Sequence, residues 1–349
     1  MNRRILRLLS LILCLAVLVG ASTAALAKEF YNGKTIRFVV GFSPGGGYDT
    51  YTRAVARHFG KHIPGNPTPI VQNMTGAGSL VAANYISNRA KPDGLTVGVW
   101  NSAMVFRQAL RDRGVKFDAR KLNWIGTPSV GLPSCGIMGF TGLKSWKDLI
   151  NSKRSLKMGS TRAGSTTYDL PKILNKTFGT NFNVISGYGG TATIRIAMQK
   201  GEVDGACWGW ESMRVTARPM LDAKGDEKFI PILTHGNPQD PEVKGLPQLT
   251  EIVKGENLAI VKAWLNQYNF QRPLSLPPGT PKDRVGILRK ALAATLKDPV
   301  FLAEAKKSKL IITYVSGKQV EKYVDQILSM SPKTEESLAF LVKTRRKKK

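Results

Sequence analysis

The chain has 349 residues, 42% of them apolar, which is enough for two domains or one large one. It carries 52 Lys and Arg against 24 Asp and Glu, a formal charge of +28. That excess suits nucleic acid, an acidic membrane surface or a small anion, and excludes a polyanionic surface that would repel them.

Asn2-Arg3-Arg4 and Arg7 precede an uncharged apolar run from Leu8 to Val19, and small residues then lead to Ala25-Leu26-Ala27. A basic start, a short apolar core and an A-x-A site predict a secretory signal peptide over residues 1–27, removed after Ala27. The run is short for a membrane span, and Cys14 lacks the small residues of a lipid-attachment site before it. An exported, soluble, periplasmic protein is expected. Losing three arginines lowers +28 to +25, and export makes nucleic acid a poor partner. The remaining basic residues are spread along the chain, except in a basic tail over 343–349.

Ile36 to Phe42 is an apolar, β-branched run that predicts a buried strand. Ser43-Pro44-Gly45-Gly46-Gly47 stops it, and Tyr48-Asp49 opens a helix to Arg57. Such a turn leaves backbone N–H groups and the positive end of a helix dipole at one spot, which suits a carboxylate or phosphate. A plain tight turn has the same pattern. Ile70 to Asn73 predicts a second strand, the turn with Gly76, Gly78 and Ser79 follows, and Leu80 to Asn88 predicts a helix. Leu95 to Trp100 predicts a third strand, ending at Asn101-Ser102. This is βαβ alternation, in which ligands bind at the carboxyl ends of parallel strands, where all three turns fall.

Around Thr127-Pro128 the pattern restarts. Ser134 to Met138 predicts a strand, and Ser145 caps a helix to Ile150. Leu156 to Ser160 predicts a strand, followed by Thr161-Arg162-Ala163-Gly164-Ser165-Thr166 and a helix from Tyr168 to Phe178 with Pro171 in its first turn. Asn183 to Ser186 turns through Gly187-Tyr188-Gly189-Gly190-Thr191-Ala192 into a helix to Lys200, and Asp204 to Trp208 predicts a strand. Beyond a strand over 228–234 and a long Pro-rich loop, a further strand is expected within Ala263 to Pro273. Helices are expected over 282–296, 299–306 and 317–329.

The usual catalytic constellations are incomplete. Gly187 to Ala192 fits G-x-G-x-x-A, but no acidic residue ends the next strand, so no dinucleotide cofactor is expected. Gly159-Ser160-Thr161-Arg162-Ala163-Gly164 misses the G-x-S-x-G spacing, His235 has no evident carboxylate to orient it, and Asp49 has no second carboxylate. His58 and His62 stand at i, i+4 without a third metal ligand. No cofactor or metal is expected. Cys135 and Cys207 survive processing, and spacing alone suits either a disulfide or two buried thiols. What the chain offers instead is hydroxyls and backbone donors, which recognise an anion and do not turn it over.

Several stretches, in order, resemble the Bug, or TctC-like, family of periplasmic solute receptors of tripartite tricarboxylate transporters. They are Lys34 to Val40 with Pro44 to Asp49, Val71 to Ser79, Pro92-Asp93-Gly94, Gly187 to Ala192, Gly201 to Asp204 and Pro277 to Pro281. Singly none is specific; together they cover nearly the whole mature chain. The resemblance implies an α/β, two-domain type II periplasmic-binding-protein fold, each domain a mostly parallel sheet flanked by helices, hinged to close on its ligand. Domain I would comprise 28–127 and 226–342, and domain II 128–225. It also implies a monomer that binds a small organic anion and passes it to membrane components of the transporter, without enzymatic activity.

The same resemblance places a carboxylate between Ser43, Gly45, Gly46, Gly47, Tyr48 and Asp49 of one lobe and Tyr188, Gly189, Gly190, Thr191 and Ala192 of the other. Gly78, Ser79, Asn101, Ser102, Ser160, Thr161, Ser165 and Thr166 would complete the site. Asp49 would cap its own helix or accept from a ligand group. Many members have proline where Gly187 stands and lysine where Gly189 stands, so only the loop's backbone role carries over. Trp100 and Trp210 would stack on a planar ligand or belong to the core. Cys135 and Cys207 would lie on neighbouring strands, within reach of a disulfide. A sensory receptor using the same cleft is the alternative, and an exported hydrolase a third reading.

Overall fold

The computed structural model describes residues 30–236 and 240–341. The expected signal peptide, residues 237–239 of the Pro-rich loop and the basic tail lie outside them. Two sheets are flanked by helices, as the α/β reading anticipates. The first contains β1 (Thr35–Val40), β2 (Thr68–Asn73), β3 (Thr96–Val99), β4 (Asn123–Thr127), β10 (Leu274–Leu276) and β11 (Val315–Ser316) in the order β11-β4-β10-β3-β1-β2. The second contains β5 (Pro133–Met138), β6 (Ser155–Ser160), β7 (Asn181–Ser186), β8 (Gly205–Gly209) and β9 (Phe229–Leu233) in the order β7-β6-β8-β5-β9.

Register is what positions the site. Val40 pairs in parallel with both Asn73 and Val99, so the turns after β1, β2 and β3 leave the sheet at one level. Ser160 pairs in parallel with Ser186, which brings the turns after β6 and β7 together in the same way. Helices α1 (Gly47–Phe59), α2 (Leu80–Asn88), α3 (Ala103–Ala109), α5 (Thr166–Phe178) and α6 (Thr191–Gln199) follow those turns, while α4 (Trp146–Ser152) follows β5 and α7 (Trp210–Thr216) follows β8. Ser145 caps α4 as expected, its hydroxyl accepting from Asp148 N at 3.1 Å.

Four expectations need correction. β9 pairs with β5, so the strands of the second sheet run to Leu233, and the chain rejoins the first sheet only at β10, well after residue 226. The strand expected within Ala263 to Pro273 is instead the end of α8 (Glu256–Leu265) and a 3-10 turn over Asn266–Phe270. Val261, Trp264, Leu265 and Tyr268 recur at helical spacing and are all buried, so the apolar residues there mark a helix face. α5 begins at Thr166, which puts Pro171 in its second turn. α3 and α7, which follow strand ends with few polar residues, were not anticipated.

The largest apolar cluster joins Val39, Trp100 and Trp124 of the first sheet's side to Ile137 and Met158 of the second through Trp264 and Phe270. Packing is therefore continuous between the lobes. Cys135 and Cys207 stand directly opposite each other in the antiparallel β5–β8 pair, Cα atoms 4.0 Å apart, and are bonded as a disulfide.

Candidate ligand-binding site

The turn into α1 is held from behind by Asp49. Its carboxylate accepts from Gly45 N at 2.9 Å, from Arg53 Nε at 2.9 Å and from Asn73 Nδ2 at 2.9 Å, while Asn73 Nδ2 also reaches Phe42 O at 2.8 Å. Burial alone would raise the Asp49 pKa; the donors of Arg53, Gly45 and Asn73 outweigh it and leave the carboxyl below its ordinary value. Asp49 thus shapes the turn, and its acceptors are spent. Gly45 sits at φ 75°, a conformation that favours glycine.

The turn into α5 uses the same device. Asp169 Oδ1 accepts from Gly164 N at 2.9 Å, and Oδ2 from Trp264 Nε1 at 3.3 Å. Here burial prevails over those bonds and raises the carboxyl pKa to about 7. The hydroxyls of this turn largely satisfy one another: Thr161 Oγ1 donates to Ser165 Oγ at 2.9 Å, and Ser165 Oγ lies 2.7 Å from Thr167 Oγ1.

The turns into α1 and α6 face each other across the two lobes. Ser43 N donates to Gly189 O at 3.3 Å, and Arg195 Nη2 to Gly45 O at 3.1 Å. A Cβ on Gly190 would stand 2.4 Å from Ser43 Oγ, and one on Gly46 would stand 3.2 Å from Thr191 Oγ1. Between the turns lies a cavity of about 50 Å³, small beside the ~300–1,000 Å³ of drug-sized ligand pockets.

Of the residues expected at the site, Gly46, Gly47, Tyr48, Asn101, Thr161, Ser165, Thr166 and Thr191 line this cavity. Gly78, Tyr188 and Gly189 line an adjoining groove instead. Ser43, Gly45, Gly190 and Ala192 form the contact between the lobes. Three others serve as supports rather than cavity walls. Ser79 Oγ accepts from Asn101 N at 2.9 Å, Ser102 Oγ donates to Gln271 Oε1 at 3.0 Å, and Ser160 Oγ lies 3.3 Å from Thr167 Oγ1. The tryptophans belong to the core: Trp100 Nε1 donates to Ser275 Oγ at 2.9 Å and Trp210 Nε1 to Asp240 Oδ2 at 2.8 Å.

Seven cavity residues escaped the sequence reading: Phe42, Thr167, Trp208, Gly209, Ser212, Gln271 and Arg272. Three of the lining residues each carry a buried polar atom, Tyr48 Oη, Trp208 Nε1 and Ser212 Oγ, with no hydrogen-bond partner among the described residues. Arg272 is 2% exposed; its Nη2 donates to Glu211 Oε1 at 2.9 Å, its Nη1 to Ser129 Oγ at 3.0 Å and its Nε to Gly47 O at 3.3 Å. The guanidinium also lies 4.4 Å from the centre of the Tyr51 ring and 5.2 Å from that of Tyr48. Glu211, fully buried, spends its other oxygen on Leu132 N at 2.9 Å. This pair joins α1, the crossover after β4, α7 and the return to β10, the segments between which a hinge would work. An isolated Arg before a proline and a Glu after a tryptophan carry no motif, so only the fold reveals it.

No family model and no curated protein sequence matches the chain. Solved structures do. The periplasmic binding protein BugD is 20% identical with a TM-score of 0.70, over 89% of this chain and 98% of its own. An R. palustris protein solved with adipate is 19% identical with a TM-score of 0.70, over 88% of this chain and 97% of its own. MatC from Rhodopseudomonas palustris with bound malate is 20% identical with a TM-score of 0.68, over 89% and 99%. The chain therefore shares the fold of these solved periplasmic binding proteins over 88–89% of its length.

Proposed function

We propose that this protein is a periplasmic solute receptor that captures a small organic carboxylate between its lobes and delivers it to a tripartite tricarboxylate transporter. One observation carries the reading: the cavity between the α1 and α6 turns is lined by Tyr48, Trp208 and Ser212, whose Oη, Nε1 and Oγ are buried and have no hydrogen-bond partner among the described residues. A buried donor without a partner costs about 1–3 kcal/mol, so these groups favour a ligand that accepts from them. The α1 terminus adds unpaired N–H groups and a positive dipole end. An anionic oxygen pair answers both.

Adipate and malate in similarly folded proteins support the class of ligand, and the A-x-A leader supports the compartment. The Ser43–Gly189 and Arg195–Gly45 bonds give closure a physical basis, because they form only when the lobes meet. Catalysis is disfavoured because Asp49 and Glu211 are tied up in structural bonds and, among the described residues, no Asp, Glu or His lines the cavity.

A thermal-shift screen of small carboxylates tests the reading. A ligand present at about 100 times its Kd adds roughly 2.7 kcal/mol to the folded state, a shift of several degrees. The melting temperature is expected to rise with at least one carboxylate and to stay unchanged with its amide. Uniform indifference to carboxylates contradicts the proposal. Deleting the membrane components should abolish uptake of that acid.

A further inference from the structure

A groove of about 570 Å³ runs along the mouth of the cleft. Thr161 lines both it and the cavity between the turns, so the two spaces have a common wall. One side of the groove is the Thr75 to Gly78 turn of the first lobe; the other is Thr161, Arg162 and the Ser186 to Gly189 turn of the second. The sides are close: a Cβ on Gly78 would stand 3.4 Å from Arg162 Cβ and 4.0 Å from Thr161 Oγ1.

Arg162 is the only charged residue among those lining this groove. Its guanidinium makes no hydrogen bond or ion pair among the described residues, whereas neighbouring Arg107 is paired with Asp112 and bound to Ala163 O at 3.0 Å. Partial burial and the like charge of Arg107 press the Arg162 pKa downward and outweigh the attraction of Asp112, which is itself bound to Arg107. The other polar side chains of the groove, those of Thr75, Thr161, Ser186 and Tyr188, are neutral hydroxyls. Such a wall suits an anionic group better than an aromatic ring or an alkyl tail, and a planar guanidinium fits a carboxylate in two-point fashion.

We infer that Arg162 receives the second carboxylate of a dicarboxylic acid whose first carboxylate occupies the cavity between the α1 and α6 turns. This rests on the carboxylate reading above and narrows it: the ligands are dicarboxylates, and Arg162 decides between them and monocarboxylates of equal length. Closure of the lobes would bring the Gly76–Gly78 backbone over the same end of the ligand, so the distal carboxylate is met from both sides.

Titration calorimetry of the mature protein against straight-chain dicarboxylates from succinate to suberate, and the matching monocarboxylates, tests this. Wild type should bind its best dicarboxylate on the order of tenfold more tightly than the monocarboxylate of equal length. Arg162→Gln should weaken that dicarboxylate by about tenfold and change the monocarboxylate by less than about twofold, with Arg162→Lys between. Equal losses for both acids, or no change in either, would overturn the assignment of Arg162 while leaving carboxylate capture standing. Wild type that binds none of the acids would overturn both.

Discussion

At the scale of single residues, two carboxylates do the same job with opposite titration. Asp49 and Asp169 each accept from the backbone N–H of a glycine just ahead of their helix. Asp49 is held below its ordinary pKa, so its contribution is complete above the unfolded value near 3.9 and is lost as pH falls through the folded value. Asp169 is raised to about 7, so the fold binds a proton there that the unfolded chain has already released. Stability from that site falls as pH rises from about 4 to 7. Carboxyl NMR should find Asp169 titrating near neutrality and Asp49 below 3.9; an Asp169 value near 4 contradicts the account. The Arg272–Glu211 pair is the other residue-scale commitment. Removing one partner leaves an uncompensated charge in the interior, so Glu211→Gln should cost about 3–5 kcal/mol in urea unfolding. A loss below about 1 kcal/mol would mean that the pair is solvated.

Elements are where the sequence was most and least legible. Each glycine-rich turn lay where expected because a β-branched run followed by glycines and a helical period leaves little choice. That the turns after β1 and β7 face each other follows only from the family resemblance, since the residues by themselves fix neither the register of Val40 with Asn73 and Val99 nor the hinge. Trp208, Ser212 and Arg272 were missed for that reason: strand-end and crossover residues reach the cavity only through the fold. The α8 region differs: Val261, Trp264, Leu265 and Tyr268 carry helical spacing in the sequence itself, so there the signal is local. Gly190 separates the two kinds of constraint. Its φ of 173° suits any residue, so the space occupied by Ser43 is what demands glycine. Gly190→Asp should leave the melting temperature of the unliganded protein within a few degrees, a change of order 1 kcal/mol, yet weaken carboxylate binding at least about tenfold. Unchanged affinity in calorimetry would move the site elsewhere.

For the whole molecule, the sheets are separate but the core is continuous between them. The Cys135–Cys207 bond closes a loop across 72 residues within the second sheet, and such a loop is worth about 4 kcal/mol of unfolded-state entropy. Reductant should lower the melting temperature and add two hydrogens to the intact mass; no mass change would show free thiols. Folding thus brings two strand-to-helix turns, one per lobe, to within bonding distance and encloses donors between them. A crystal structure with a bound dicarboxylate measures that most directly. One carboxylate should lie between the Gly46–Tyr48 and Gly190–Thr191 backbones, in contact with Tyr48 Oη and Ser212 Oγ. An acid bound anywhere outside that gap contradicts the account.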